Sequence, residues 1–366
     1  MSRRILLITT DFPPRRGGVA RYYAGIFNNL PAVSVLTDIG SAATDSHIMR
    51  QPLLYRFIWP QWLPLLWLVP YYRFFRQIEW CLAGQILPIG TALWIIKKTF
   101  GWRYGVFVHG FDLGLAKLNR RKLWLVRQIL GSADVVVANS QFTADLARAS
   151  GALENLIIVY PCSDLAVQNV AADSVSQLTD EYCLAGKTVI LTVARLVKRK
   201  NIALVIESIA ALHNDFADLV YVVVGDGPEM VNLRHQAKLF KVPTIWRGDI
   251  DDAELAVWYN LCDLFVLVPL ANGADIEGFG IVYLEAQAAA KPVIGSPVGG
   301  VSEAVGGAGL LAKDKIELVE ALRQLLLNPA LRSKLGNLGR ERVNREFIWP
   351  RQLKKLSAFF YDRPDN

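Results

Sequence analysis

Short, continuously apolar runs alternate along this chain with longer stretches whose apolar positions recur at helical spacing. Ile5–Thr9, Val33–Thr37, Tyr104–Val108, Val135–Ala138 and Leu156–Val159 predict strands, and Gly18–Leu30 and Ile89–Thr99 predict helices between them. A second set follows at Val189–Val193, Val220–Val224, Thr244–Trp246, Leu264–Val268, Pro292–Ile294 and Gly309–Leu311, again with helical stretches between the runs. Strands alternating with helices imply mainly parallel sheets, so the chain is expected to be α/β, with two doubly wound domains. The polar stretch Ser163–Asp180 reads as the linker, which divides the chain into domains 1–165 and 166–346. Trp349–Phe360 reads as a terminal helix within a closing segment, 347–366.

Composition fits two cores: 366 residues, 52% of them apolar. Cys81, Cys162, Cys183 and Cys262 are irregularly spaced and make neither a zinc pattern nor a disulfide framework, which points to a reduced, cytoplasmic compartment. Ser2–Thr10 is basic and then apolar, but the apolar run is short and enters a Pro/Gly turn, as a first core strand does and a signal peptide does not.

Charge changes the picture more. The net +7 is uneven: residues 1–165 carry 18 Lys/Arg against 9 Asp/Glu, and residues 166–366 carry 22 against 24. A basic amino-terminal half suits an anionic partner. No zinc-finger, RNA-recognition or helix-turn-helix signature accompanies it, so nucleic acid is not expected. Between Arg56 and Arg73, Phe57–Tyr72 holds sixteen uncharged residues with three tryptophans, two tyrosines and three prolines. That is too short for a membrane span but fits the headgroup region, on the inner face of the membrane. Packing of the same rings inside the first core or an acceptor cleft is the other reading.

Two segments carry candidate chemistry. Glu277-Gly-Phe-Gly-Ile-Val-Tyr-Leu-Glu285 places two carboxylates across a glycine-rich turn that enters an apolar helix near Ile281, where backbone amides suit a phosphate or sugar oxygen. Read structurally, Glu277 is a helix-start acid and Glu285 a solvated helix residue. Arg195 leaves the strand pattern Thr188–Ala194 at its carboxyl end, and Lys200 precedes the helix Asn201–Leu212. Two cations at such an edge suit a diphosphate, and an exposed basic loop is the bland alternative.

Together with Asp11–Tyr22, Val108–Asp112, Ala138–Thr143, Val159–Asp164, Val224–Glu229 and Ser296–Glu303, these segments stand in the order found in family 4 glycosyltransferases of the GT-B fold, which the chain resembles over nearly its whole length. The resemblance implies two Rossmann-like domains facing a central cleft, the first binding the acceptor and the second the nucleotide-sugar donor. It assigns the donor diphosphate to Arg195 and Lys200, with the Gly17-Gly18 turn approaching the same phosphates. Ribose hydroxyls go to Glu285, and the transferred sugar to Glu277 and His109, helped by amides near Gly278, Phe279 and Gly280. Ile281 and Val282 pack near the nucleoside or diphosphate, Gly225 lies in the Gly-Asp-Gly-Pro turn, and Arg247, Asp249 and Ile250 lie near the base.

The chemistry implied is transfer of a hexose with retention, without metal or cofactor, to a saccharide or lipid-linked acceptor in polysaccharide or glycolipid synthesis. UDP-glucose is the first donor expected and GDP-mannose the second. Arg195 and Lys200 replace a metal in binding the leaving nucleotide, and a phosphate oxygen takes the acceptor's proton. Ala194 and Cys162 stand where relatives usually have glycine. Three competing readings are a catalytically silent nucleotide-sugar-binding or membrane scaffold, a glycoside hydrolase using the two glutamates, and a dinucleotide-dependent dehydrogenase. Intact Arg195, Lys200, Glu277 and Glu285 count against the first. The Arg/Lys pair counts against the second, and the absence of a spaced glycine fingerprint after the first strand against the third.

Overall fold

A computed structural model describes residues 4–362 apart from 31, 39–44, 56, 153–154 and 166. Arg56, one of the flanking arginines, therefore lies outside the described residues. The chain forms two compact units. The first is Met1–Cys162 with Gly273–Gly278 and Trp349–Asn366, and the second is Ser163–Asn272 with Phe279–Ile348. The first division falls at Cys162/Ser163, where the polarity of the sequence suggested residue 165.

In the first unit β1 (Ile5–Thr9), α1 (Gly18–Asn29), β2 (Val33–Thr37), β3 (Ile48–Arg50), α2 (Leu65–Arg76), β4 (Trp80–Ala83), α3 (Thr91–Phe100), β5 (Tyr104–Val108), α4 (Phe111–Lys117), α5 (Arg120–Ser132), β6 (Val135–Ala138), α6 (Gln141–Ala149) and β7 (Leu156–Ile158) follow in order. The described strands form one parallel sheet in the order β3-β2-β1-β4-β5-β6-β7. Two of these strands do not stand out in the sequence. Ile48–Arg50 is three residues long, and Trp80–Ala83 only four, between Arg76-Gln77-Ile78-Glu79 and Gly84-Gln85. The helix expected over Ile89–Thr99 begins at Thr91, because a wider turn over Ile86–Gly90 precedes it.

The aromatic run splits by face. Leu65 and Val69 of α2 are buried and Trp62 packs partly buried against the core, whereas Trp59, Trp67, Tyr71, Phe74 and Phe75 are exposed. Pro60 and Pro64 precede α2 in a bend and a turn, whereas Pro70 lies inside the helix without ending it. No helix among the described residues is long and apolar enough to cross a membrane.

The second unit contains α7 (Ala172–Glu181), β8 (Thr188–Val193), α8 (Ile202–Leu212), β9 (Leu219–Val224), α9 (Met230–Leu239), β10 (Thr244–Gly248), α10 (Asp252–Leu261), β11 (Leu264–Val266), α11 (Ile281–Ala288), β12 (Val293–Gly295), α12 (Val301–Val305), β13 (Gly309–Leu311), α13 (Lys315–Leu327) and α14 (Pro329–Glu346). Its described strands are also parallel, ordered β10-β9-β8-β11-β12-β13. The stretch read as a linker is instead partly helical. It forms a turn at Val167–Asn169 and then α7, whose Leu178 is buried.

The terminal helix α15 (Trp349–Ser357) belongs to the first unit and packs on α1. Trp349 is buried, lies 6.0 Å from the Tyr22 ring, and fills the space above Gly25, where a Cβ would come within 2.0 Å of the indole. Trp349→Ala is expected to destabilise the first unit by about 3–5 kcal/mol, the usual cost of truncating a buried aromatic, as read by urea unfolding. Gly25→Ala should also destabilise, and the two losses should be less than additive, because the smaller side chain at 349 makes room for the new methyl.

Candidate active site

Both sheets reverse their order of winding near the middle, at β1/β4 and at β8/β11, and such a reversal leaves a crevice at the carboxyl ends of the strands. In the second unit the loop leaving β8 carries Arg195, exposed, and Lys200, half-buried at the end of a short turn, before Asn201 (φ 55°) enters α8. Backbone bonds pin this loop: Leu196 N–H donates to Asp226 O at 2.9 Å and Glu229 N–H to Leu196 O at 3.0 Å. Gly225, at φ 123°, lies where a Cβ would sit 2.0 Å from Ala194 O, so its evident role is to wedge the cationic loop in place. Ala194 and Cys162 are not among the positive-φ residues, which is why they can replace glycine.

The loop leaving β11 is tied to the same place. Leu270 N–H donates to Arg199 O at 2.8 Å, and Asn201 Nδ2 to Val268 O at 3.2 Å. It ends at Gly280 (φ 96°), where α11 starts with neither a capping side chain nor an acid in its first turn. The amides around the half-buried Ile281 and Val282 keep the positive end of the helix uncompensated, as an anion site requires. Phe279 is buried beneath, 5.8 Å from the Phe347 ring.

Glu285 is not a solvated helix residue. It is 1% exposed, and its carboxylate accepts from the Tyr259 hydroxyl at 2.8 Å. The base loop stands apart, because β10 is two places from β8, about 10 Å across the sheet. Arg247 there is engaged with Glu254 at 2.8 and 2.5 Å and lies over the Tyr182 ring at 5.3 Å, so its guanidinium is part of the scaffold. Asp249 is exposed and Ile250 half-buried, while Asp251 caps α10 by accepting from Glu254 N–H.

In the first unit Gly17 (φ 140°) and Gly18 are exposed at the start of α1. His109 follows β5, its ring between Tyr22 and Tyr23 at 5.7 and 5.5 Å. The Tyr23 hydroxyl donates to Gly84 O, which can only accept, and His109 Nε2 lies 2.6 Å from the same hydroxyl. Tyr23 has one hydrogen to give, so Nε2 must be the donor to its oxygen. Neutral His109 thus carries its proton on Nε2 and leaves Nδ1 as an acceptor with no partner among the described residues.

Burial pulls the His109 pKa down to about 4, against an opposing pull from Asp11, and burial pushes Asp112 up to about 6 against backbone N–H groups that include that of His109. Gly278 lies against the His109 carbonyl, where a Cβ would be 2.3 Å from that oxygen and 3.1 Å from Asn139 Nδ2. Half-buried Glu277 adjoins Gly278 in the chain, and Gly278 lies against His109 within this unit.

Motif reading missed what surrounds His109. Gln85 donates to Asp11 Oδ2 at 2.7 Å and Thr10 Oγ1 at 2.8 Å, which leaves its buried Oε1 unpartnered. Asp112 Oδ2 and Asn139 Oδ1 are likewise buried without a partner among the described residues. Each of these atoms is an acceptor. All three are shielded from solvent, and only a donor can satisfy them. Asp112 and Asn139 stood inside quoted motifs, but only the fold reveals their missing donors.

Residues 183–342, the greater part of the second unit, match the family Glycosyl transferases group 1. A GDP-mannose-dependent alpha-(1-6)-phosphatidylinositol monomannoside mannosyltransferase of Mycolicibacterium smegmatis is 27% identical, over 98% of this chain and 98% of its own. A GDP-mannose-dependent monoacylated alpha-(1-6)-phosphatidylinositol monomannoside mannosyltransferase of Corynebacterium glutamicum is 27% identical over 99% of each. The fold is also that of a sucrose-phosphate synthase from Thermosynechococcus elongatus, with a TM-score of 0.81 at 22% identity over 98% of each chain. The second unit thus carries a group 1 glycosyltransferase domain, and the chain has the GT-B fold.

In this glycosyltransferase the ring proton of His109 is expected on Nε2, visible in long-range ¹H–¹⁵N spectra of the neutral ring, and Tyr23→Phe should abolish that bias. Both titrations couple to stability with opposite sign. Unfolded His109 binds its proton near pH 6.5 and the folded ring only near 4, so its contribution falls as pH drops through that window. Asp112 binds its proton more tightly when folded, so its contribution falls as pH rises from about 4 to 6. Asp112→Asn should therefore gain stability relative to the parent as pH is raised across that range, as urea unfolding at successive pH values will read.

Tyr259→Phe leaves the buried Glu285 one donor short and should cost about 1–3 kcal/mol in the same measurement. An unchanged unfolding midpoint would show that the Tyr259–Glu285 bond contributes nothing.

Proposed function

We propose that this glycosyltransferase moves mannose from GDP-mannose to a lipid-linked saccharide or polyol at a membrane surface, with retention and without a metal ion. The observation that carries the reading is the bonding of the loop after β8, with Arg195 and Lys200, to the loop after β11, which opens the uncapped start of α11. Fixed cations and helix amides there suit a diphosphate whose negative charge grows as the sugar departs. GDP-mannose, second in the sequence reading, is placed ahead of UDP-glucose because the two mannosyltransferases similar to the whole chain use it. The phosphatidylinositol mannosides in their names support a glycolipid acceptor.

The first unit supplies the complementary chemistry. His109 is neutral and offers an acceptor nitrogen among other unsatisfied acceptors, an environment for hydroxyl groups. Glu277 beside it is assigned to the transferred sugar's hydroxyls. The leaving phosphate takes the proton of the attacking hydroxyl, so no side chain need act as base. The exposed aromatic face of α2, flanked by Arg73 and Arg76, supports peripheral contact with the membrane.

GDP-mannose is expected to raise the thermal midpoint most among nucleotide sugars, and transfer should persist in excess chelator. Arg195→Ala and Lys200→Ala should each lower kcat by about 10²–10³, as removal of one oxyanion donor does. Glu277→Ala should blur discrimination among sugar epimers while calorimetry finds GDP bound nearly as before. Stabilisation by UDP-glucose alone would overturn the donor assignment, and metal-reversible loss of turnover would overturn metal independence.

A further inference from the structure

The outer helices of the first unit carry a feature that donor chemistry does not use. Residues 57–132 hold ten Lys/Arg against two Asp/Glu and supply α2, α3, α4 and α5. These pack in a row, α2 on α3, α3 on α5 and α5 on α4. The aromatic stripe of α2 occupies one end of the row. At the other end the corner between α4 and α5 turns Phe111, Leu115, Leu118 and Trp124 to solvent, Leu118 being 75% and Trp124 57% exposed.

Lys117, Arg120, Arg121 and Lys122 crowd the same corner, and none forms an ion pair among the described residues. Arg120, Arg121, Trp124 and Leu125 line a shallow cavity of about 470 Å³. Trp94 stands edge-on to Trp124 at 6.4 Å and buries an indole N–H that has no partner among the described residues. Large apolar side chains gathered in one place and rimmed by unpaired cations mark a contact surface.

We propose that the α4–α5 corner docks on an anionic bilayer, with Leu118 and Trp124 entering at headgroup depth and Arg120 and Arg121 taking lipid phosphates. The inference rests on the membrane-surface reading given above and extends it from α2 to a second anchor at the opposite end of one helical layer. Charge selects the occupant: a neutral protein surface would bury four cations unpaired, whereas lipid phosphates pair with them and an indole suits the boundary between headgroup and acyl chain. The position has a consequence for the acceptor. His109 and Gly110 lead directly into α4, so the carboxyl end of β5 lies one short helix from the anchored corner and from a bilayer-borne acceptor.

The test is co-sedimentation of the full chain with phosphatidylcholine vesicles containing increasing phosphatidylglycerol. Arg120→Glu with Arg121→Glu should weaken binding at least about 10- to 100-fold, from roughly 1 kcal/mol per basic residue near an anionic surface, and Leu118→Ser with Trp124→Ser should separately weaken it through lost apolar burial. Donor turnover without vesicles should stay at the parent level. Arg120→Gln with Arg121→Gln reads the same effect if the reversed pair misfolds. The proposal is overturned if the corner variants bind vesicles like the parent while Trp67→Ser with Phe74→Ser does not. It is equally overturned if inorganic phosphate at matched ionic strength displaces the vesicles, which would make the corner a soluble-anion site.

The two readings fail separately. A chain that ignores vesicles yet transfers mannose to a water-soluble acceptor removes this proposal and leaves the enzymatic reading intact. A chain whose vesicle binding depends on the corner but which turns over no nucleotide sugar does the reverse.

Discussion

Parallel strand pairing is the constraint on which this molecule depends. A parallel pair cannot be closed by a two-residue hairpin, so each strand must be followed by a crossover that carries the chain back to the same starting edge. Every described strand pair in both sheets is parallel, and the strand-to-helix loops are therefore gathered along one edge of each sheet. Where the winding reverses, two such loops diverge and leave space. Arg195, Lys200 and Gly280 occupy that edge in the second unit, and Gln85 and His109 in the first, each in a loop that leaves a strand with a buried interior. The loops need little structure of their own, since backbone bonds such as Leu196 to Asp226 and Leu270 to Arg199 fasten them to neighbours.

The two units offer opposite polarity. The second presents cations and helix amides, which favour an acceptor-rich diphosphate. The first holds Gln85, Asp112, Asn139 and His109 as acceptors without donors among the described residues. Leaving a buried acceptor unmade costs about 1–3 kcal/mol, so several in one place are retained against stability. The same burial keeps His109 neutral. A ring held uncharged, with Nε2 committed to Tyr23, has Nδ1 available as an acceptor; an imidazolium would have none.

Residue pattern alone determined the α/β class, the two domains, most strands and the resemblance to glycosyltransferases, because a strand buried on both faces must be apolar throughout and the motifs stand in that family's order. Ile48–Arg50 and Trp80–Ala83 were not legible, being only three and four residues long. Nor was the helix within the supposed linker, where one buried leucine suffices for a polar segment to dock. Tertiary structure decided which of the aromatics between Trp59 and Phe75 face inward, that Glu285 is buried against Tyr259, that Arg247 belongs to Glu254, and which acceptors around His109 lack a donor. The physical reason is common to all four. Exposure and hydrogen-bond satisfaction are properties of what arrives from elsewhere in the chain, and no local run of residues specifies its distant neighbours.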